Sequence, residues 1–204
     1  MGDEARKTSK EEIRNRIWHE MEKMGVARPP YPVRGRIPNF VGAEEAAARL
    51  SETPEWEGAD VVFVGPDSPQ RPVRELALRF GKVLVMASPR LRRGFIVLTP
   101  SKVGGQFRKA STIRGAFRYG RLVDQPPRVD LIVIGSVAVD RDFNRLGKGG
   151  GYGDREARML RALYGFIPYA TTVHPLQIVD RIPSEPHDVK VDLVATPSEV
   201  LRRI

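Results

Sequence analysis

Arg145-Leu-Gly-Lys-Gly-Gly-Gly-Tyr-Gly-Asp-Arg155 follows the apolar run Leu131-Ile-Val-Ile134 and runs into the helical pattern Asp154-Arg-Glu-Ala-Arg-Met-Leu-Arg161. A glycine-rich loop that leaves a buried strand, carries a Lys and opens a helix suits a phosphate. Glycines let backbone N–H groups turn toward an anion without Cβ interference. The helix N-terminus behind them adds its dipole and its unpaired amides. Two familiar motifs are excluded. A Walker A loop needs Ser or Thr after its Lys, and Lys148 is followed by Gly149. The dinucleotide fingerprint G-x-G-x-x-G fails in register, because Tyr152 stands where its last glycine belongs. The residues alone therefore say phosphate, or a purely structural glycine loop, and do not say whose phosphate.

Working outward, short β-rich runs alternate with helical ones. Val61-Val-Phe-Val64, Val83-Leu-Val-Met86, Phe95 to Leu98 and Leu131 to Ile134 read as strands, and Thr171 to His174 and Val191 to Val194 as late ones. Pro72 to Phe80 and Asp154 to Tyr164 read as helices, and Pro100 to Gly120 as a loop with a short helix. This alternation predicts an α/β fold, a mostly parallel sheet with helices on both faces, whose ligands sit at the carboxyl ends of the strands. Residues 1–50 are expected to be a helical segment packed on that single domain of 1–204. Ser9-Lys-Glu-Glu12 predicts a capping box with Ser9 as N-cap, and Ile13, Ile17, Met21 and Met24 recur at helical spacing. Lys10 and Arg14, four apart, share one helix face. Arg28-Pro-Pro-Tyr-Pro32 reads as an extended linker, Arg36 to Phe40 as a docking segment and Gly42 to Leu50 as a second helix.

Composition narrows the chemistry. There is no Cys, which rules out disulfides, thiolate catalysis and Cys-ligated metal. No apolar run approaches the roughly 18 residues of a membrane span, and the charged N-terminus is unlike a signal peptide, so a cytoplasmic protein is expected. His174 and His187 have no partner at metal-binding spacing. The net charge of +9 is unevenly spread. Between Glu75 and Asp124 there is no acidic residue and there are eleven cations. A field of that kind over residues 76–123 attracts polyanions such as RNA, a nucleotide or a polycarboxylate tail, unless it is simply a solvated basic face.

The glycine block resembles the hallmark of the 5-formyltetrahydrofolate cyclo-ligases, also called methenyltetrahydrofolate synthetases: R-L-G-x-G-x-G-Y-Y-D after an apolar strand. Arg145 to Asp154 matches it at all but the second Tyr, where Gly153 stands. The segment Gln177-Ile-Val-Asp-Arg-Ile-Pro and His187-Asp-Val-Lys-Val-Asp-Leu-Val194 is similar to the family's C-terminal signature, and Lys10-x-x-x-Arg14 to its N-terminal basic pair. Within that family, Arg36-Ile-Pro-Asn-Phe40, Pro66-Asp-x-Pro-Gln70, Pro89-Arg-Leu-Arg92 and Val133-x-Gly-Ser-Val-Ala-Val139 look like the methenyltetrahydrofolate-synthetase-domain-containing branch. Animal members of that branch carry an added RNA-recognition domain, for which this chain has no room.

The resemblance implies an ATP- and Mg²⁺-dependent reaction. The formyl oxygen of 5-formyltetrahydrofolate attacks the γ-phosphate, N10 of the folate closes the ring, and phosphate leaves with formation of 5,10-methenyltetrahydrofolate. No protein nucleophile is needed; catalysis would be positioning and charge neutralisation. By the same resemblance Lys10, Arg14, Arg145 and Lys148 face the ATP phosphates, with Gly147, Gly149, Gly150 and Gly151 forming the cradle. Arg145, Lys148 and Tyr152 serve the reaction, Asp67 and Tyr152 meet the folate, and Asp154 holds Mg²⁺. The residues leave alternatives open: Lys10 and Arg14 as a solvated helix face, Asp154 as a helix N-cap, Tyr152 as core. Gly153 removes an aromatic wall worth about 1–3 kcal/mol of buried contact. The alternative function is therefore a nucleotide- or RNA-binding module of the same fold without cyclo-ligase activity.

Overall fold

The computed structural model describes residues 2–185 and 188–204, with side chains from residue 9 onward. His187 lies outside the described residues.

Among the described residues the chain runs α1 (Gly2–Lys23), β1 (Ala27–Arg28), β2 (Asn39–Phe40), α2 (Ala43–Ser51), α3 (Pro54–Glu57), β3 (Val61–Val64), α4 (Arg71–Arg79), β4 (Val83–Ala87) and β5 (Phe95–Leu98). It continues through α5 (Pro100–Val103), α6 (Phe107–Ala110), α7 (Ile113–Tyr119), β6 (Arg121–Val123), β7 (Leu131–Val133), β8 (Ala138–Asp140), β9 (Arg145–Leu146) and α8 (Tyr152–Tyr164). It closes with β10 (Tyr169–Thr172), β11 (Ile178–Val179), β12 (Leu193–Ala195) and β13 (Val200–Arg202). Eight strands form the main sheet in the order β13-β12-β10-β7-β3-β4-β5-β6. From β12 to β4 neighbours run parallel; β13, β5 and β6 are antiparallel to theirs. A smaller sheet, β11-β8-β9, stands beside it, and β1 pairs with β2.

The strand pattern explains the layers. On β3, Val62 and Val64 join one apolar cluster and Phe63 the other; on β7, Leu131 and Val133 face one way and Ile132 the opposite way. Period-two side chains that are apolar on both sides need cover on both faces. The first cluster packs under α2 and α4 through Leu50, Ala77 and Leu78, and the second under α8 through Ala157 and Leu160. A third cluster gathers Ile17, Trp18 and Met21 of α1 against Phe40, Val137 and Leu146. So α1 is fixed by its own apolar stripe onto β2, β8 and β9. The segment 36–40 docks as expected, with Ile37 and Phe40 buried and Arg36 accepting the Trp18 indole N–H on its carbonyl at 2.9 Å.

Four expectations need correction. Helix α1 starts at Gly2, seven residues before Ser9, so Ser9 lies inside the helix and caps nothing. Pro100 to Gly120 holds three short helices, α5 to α7, rather than one. The strand near 171 is β10, which ends at Thr172; His174 instead caps a short 3₁₀ turn, Pro175–Gln177, through Nδ1 and the Leu176 N–H at 3.1 Å. Helix α8 begins at Tyr152 with Gly151 as its N-cap, in the left-handed region at φ 66°. Asp154 is therefore the third residue of the helix and not its cap. No helix among the described residues is long and apolar enough to cross a membrane.

Candidate functional site

A cleft of about 1300 Å³ opens beyond the C-terminal ends of β3, β4 and β7. Single-ligand pockets reach up to about 1,000 Å³, so this one has room for two substrates side by side. Its walls are the loops after β3 and β4, the turn after β7, the glycine loop, the start of α8 and the polar face of α1.

The glycine loop is held from three directions. From α1, Arg14 Nε donates to the Gly147 carbonyl at 2.8 Å, while Arg14 Nη1 pairs with Glu11 Oε2 at 3.0 Å. One turn earlier, Lys10 Nζ meets Asp188 Oδ2 at 3.2 Å. From the loop after β3, Asp67 Oδ1 accepts from Lys148 Nζ at 2.9 Å. From beneath, Arg145 Nη2 pairs with Asp154 Oδ1 at 2.9 Å and Arg145 Nη1 donates to the Gly135 carbonyl at 2.8 Å. Gly149 and Gly151, at φ 110° and 66°, turn the backbone over the cleft. Among the described residues, the amides of 147–151 donate to no protein acceptor. A row of unengaged N–H groups before a helix N-terminus is what an anion needs.

Electrostatics divides these cations. The Arg145 side chain is only 3 % exposed. Burial works to lower its pKa, yet the fields of Tyr169, Asp154 and Asp67 outweigh it and leave the guanidinium above its ordinary range. Arg145 thus lies under the loop as a buried strut, with Nε unpartnered. Lys148 is 43 % exposed and stands at the surface of the cleft. Tyr152 is also exposed there, which removes the core reading for its ring.

All the candidate residues, Lys10, Arg14, Asp67, Arg145, Lys148, Tyr152 and Asp154, with the glycines between, line this one cleft. Sequence reasoning missed two others. Arg74 of α4 is buried and donates to the carbonyls of Gly65 and Asp67 at 2.6 and 2.9 Å and of Ser111 at 2.7 Å. Burial pulls its pKa down to about 9 against the pull of Asp67, so it stays cationic at neutral pH and fixes the loop that carries Asp67. Glu156 is 6 % exposed and lines the cleft. Burial first, and Asp67 next, push its carboxyl up to about 7, opposed by Arg145 and Lys148. Its signal was in the sequence: Glu156, Ala157 and Leu160 form the buried stripe of α8, and a Glu on an apolar stripe is out of place.

Comparison with known proteins finds relatives along nearly the whole chain. Residues 6–197 match the model of the 5-formyltetrahydrofolate cyclo-ligase family. A mouse protein named methenyltetrahydrofolate synthase domain-containing protein is 41 % identical over 204 residues, covering 95 % of this chain and 55 % of that protein. The human protein of that name is 38 % identical, covering 95 % and 53 %. The chain thus spans about half the length of these relatives. A 5-formyltetrahydrofolate cyclo-ligase of Mycolicibacterium smegmatis is 33 % identical over 101 residues, 46 % of this chain and 50 % of that one. Among solved structures, the 5,10-methenyltetrahydrofolate synthetase of Aquifex aeolicus superposes with a TM-score of 0.60 at 21 % identity, over 95 % of this chain and 92 % of that one. The Mycoplasma pneumoniae synthetase gives 0.56 at 16 %, over 91 % and 97 %. At such identities these two establish the fold, and the family match, spanning the N-terminal basic pair, the glycine loop and the C-terminal segment, establishes descent: the chain belongs to the 5-formyltetrahydrofolate cyclo-ligase family.

Proposed function

We propose that the chain closes 5-formyltetrahydrofolate to 5,10-methenyltetrahydrofolate at the expense of ATP. The observation that carries this reading is the glycine loop: unengaged amides, with Lys148 and Arg14 beside them, open into a cleft sized for two substrates. In this reading the loop amides and Lys148 hold the terminal phosphates of ATP, and Lys10 and Arg14 approach them from α1. Arg145 holds Asp154 and the loop in place from below. Tyr152, on the cleft wall, lies against the folate. The residues need only orient the formyl oxygen toward phosphorus and stabilise the charge that moves there.

Mg²⁺ fits the same cleft. Among the described residues no group of three or more His, Asp or Glu could hold a metal by itself. Mg²⁺ in phosphoryl transfer takes one or two carboxylates, with phosphates and water completing its shell. Asp154, on the cleft wall, would be that carboxylate, and the ion would neutralise phosphate charge. The test is an absorbance assay for methenyl product with 5-formyltetrahydrofolate, ATP and Mg²⁺. Product that requires all three supports the proposal, and no turnover at high protein concentration rejects it.

One observation favours a second reading, a nucleotide- or RNA-binding module of this fold. Of the eleven cations in 76–123, ten are exposed; Lys82 is buried, donating to the carbonyls of Trp56 and Ala59. Binding of single-stranded RNA through that surface would show log K falling with log salt by about 0.7 per phosphate contact. A flat salt response would remove this alternative.

A further inference from the structure

Four cations around the glycine loop each hold a carboxylate: Lys10 meets Asp188, Arg14 meets Glu11, Arg145 meets Asp154 and Lys148 meets Asp67. A phosphate that enters must displace one or more of these acids, and they are not equally placed to lose their cation. Glu11 is exposed on the same helix as Arg14, so water replaces its partner. Asp188 keeps the Glu185 N–H at 2.9 Å. Asp154 keeps Arg145, which lies beneath the loop. Asp67 differs from all three. It reaches Lys148 from the loop after β3, on another wall of the cleft and 81 positions away in sequence. Its side chain is only 19 % exposed, and Lys148 is its one ion-pair partner among the described residues.

Asp67 cannot retreat when Lys148 leaves it. Its carbonyl accepts from the buried Arg74 at 2.9 Å and from the Gln70 N–H at 3.2 Å. Two residues earlier, the Gly65 carbonyl accepts from the same guanidinium nitrogen at 2.6 Å. The backbone is pinned, and only the carboxylate can turn. A largely buried carboxylate without a donor costs free energy, so it takes up a donor that stands beside it in the cleft. Phosphates only accept, so that donor belongs to the other ligand. We propose that the Lys148–Asp67 pair is a switch that couples the two substrates: the Lys148 ammonium passes from Asp67 to the phosphates of ATP, and the freed Asp67 carboxylate accepts a hydrogen bond from the second substrate. Each ligand then tightens the other by the same factor, since coupling between two binding events is reciprocal. The switch rests on the folate reading above for the identity of that second substrate.

The test is calorimetry with the whole chain. 5-Formyltetrahydrofolate is titrated with and without a saturating β,γ-imido analogue of ATP and Mg²⁺. In the parent the analogue should raise folate affinity by about fivefold or more, the lower end of coupling between sites. Lys148→Ala frees Asp67 at all times. This variant should bind folate without the analogue about as tightly as the parent does with it, and the analogue should add nothing. Asp67→Asn is the second variant: it releases Lys148, so the analogue should bind at least as tightly as to the parent, with no gain from folate. If the parent binds both ligands independently, the switch fails and the proposed activity still stands. Coupling that persists undiminished in both variants also overturns it, because the ion pair would then not carry it. So does a Lys148→Ala variant that binds folate more weakly than the unliganded parent, since Lys148 would then touch the folate itself. A parent that binds no folate at millimolar concentration rejects both the switch and the activity.

Discussion

Lys148 stands at the cleft surface with its ammonium held by Asp67 at 2.9 Å. An exposed pair of this kind contributes little to stability, about 0–1 kcal/mol, so exchanging Asp67 for a phosphate costs little. Lys148→Ala should weaken ATP by about 1–3 kcal/mol while leaving the unfolding midpoint nearly unchanged. Calorimetry showing unchanged ATP affinity would remove Lys148 from the site. Asp154 behaves differently. Its partner Arg145 is buried, and losing the carboxylate charge leaves a guanidinium with only the Gly135 carbonyl. Asp154→Asn should cost about 1–3 kcal/mol in urea unfolding, and Mg²⁺-dependent ATP use should fall with it. Full stability with full Mg²⁺ dependence would leave neither role to Asp154. That Asp154 is a candidate was readable in the motif; that Arg145 would be its buried partner was not, because only the fold brings Gly135 and α8 over the same guanidinium.

At the scale of elements, the capped 3₁₀ turn after β10 gives the clearest pH effect. His174 accepts the Leu176 N–H on Nδ1, and its backbone N–H donates to Gln177 Oε1. Only the neutral ring can accept, and burial lowers the pKa of His174 below its ordinary value. The folded state therefore holds the proton less tightly than the unfolded chain. The cap's stability is fully present above the unfolded value near 6.5 and is lost as pH falls through the lower folded value. As pH falls below about 6.5 the parent should lose more stability than His174→Asn, whose amide caps at any pH. Parallel urea titrations that run together would exclude the cap as the source. The long-period elements were legible in sequence: β3, α4, β4, β5, β7 and α8 appear within a few residues of where their apolar patterns put them. Strands of two or three residues, such as β8, β9 and β13, were not, since so short a run carries no period and exists only through its pairing partner. The start of α1 was hidden for a related reason: Gly2 to Ser9 has no apolar stripe, so Ser9 looked like the first place a helix could begin.

Across the whole molecule, charge and sheet order have separate consequences. Arg114 and Arg118 are exposed on α7, in the acid-free span. Reversing both charges should weaken RNA if RNA is the partner, with a reduced salt slope. If the ligand is a folate polyglutamate, the loss should instead grow with tail length. A response to neither would leave the span a solvated face. The main sheet stops at β6 on one side and β13 on the other. Among the described residues each outer strand has a row of backbone groups with no neighbouring strand, a template on which another chain could add itself. Arg121 guards one border, beside the exposed Leu122, and Arg202 the other, where it is paired with Glu55. Replacing Arg121 with Val would leave an apolar, uncharged rim without altering the interior. Light scattering on heating should then rise at a lower temperature while the urea midpoint stays put. The same two arginines that contribute nothing to the cleft would thus decide how concentrated a solution of this protein can become before its sheets begin to zip together.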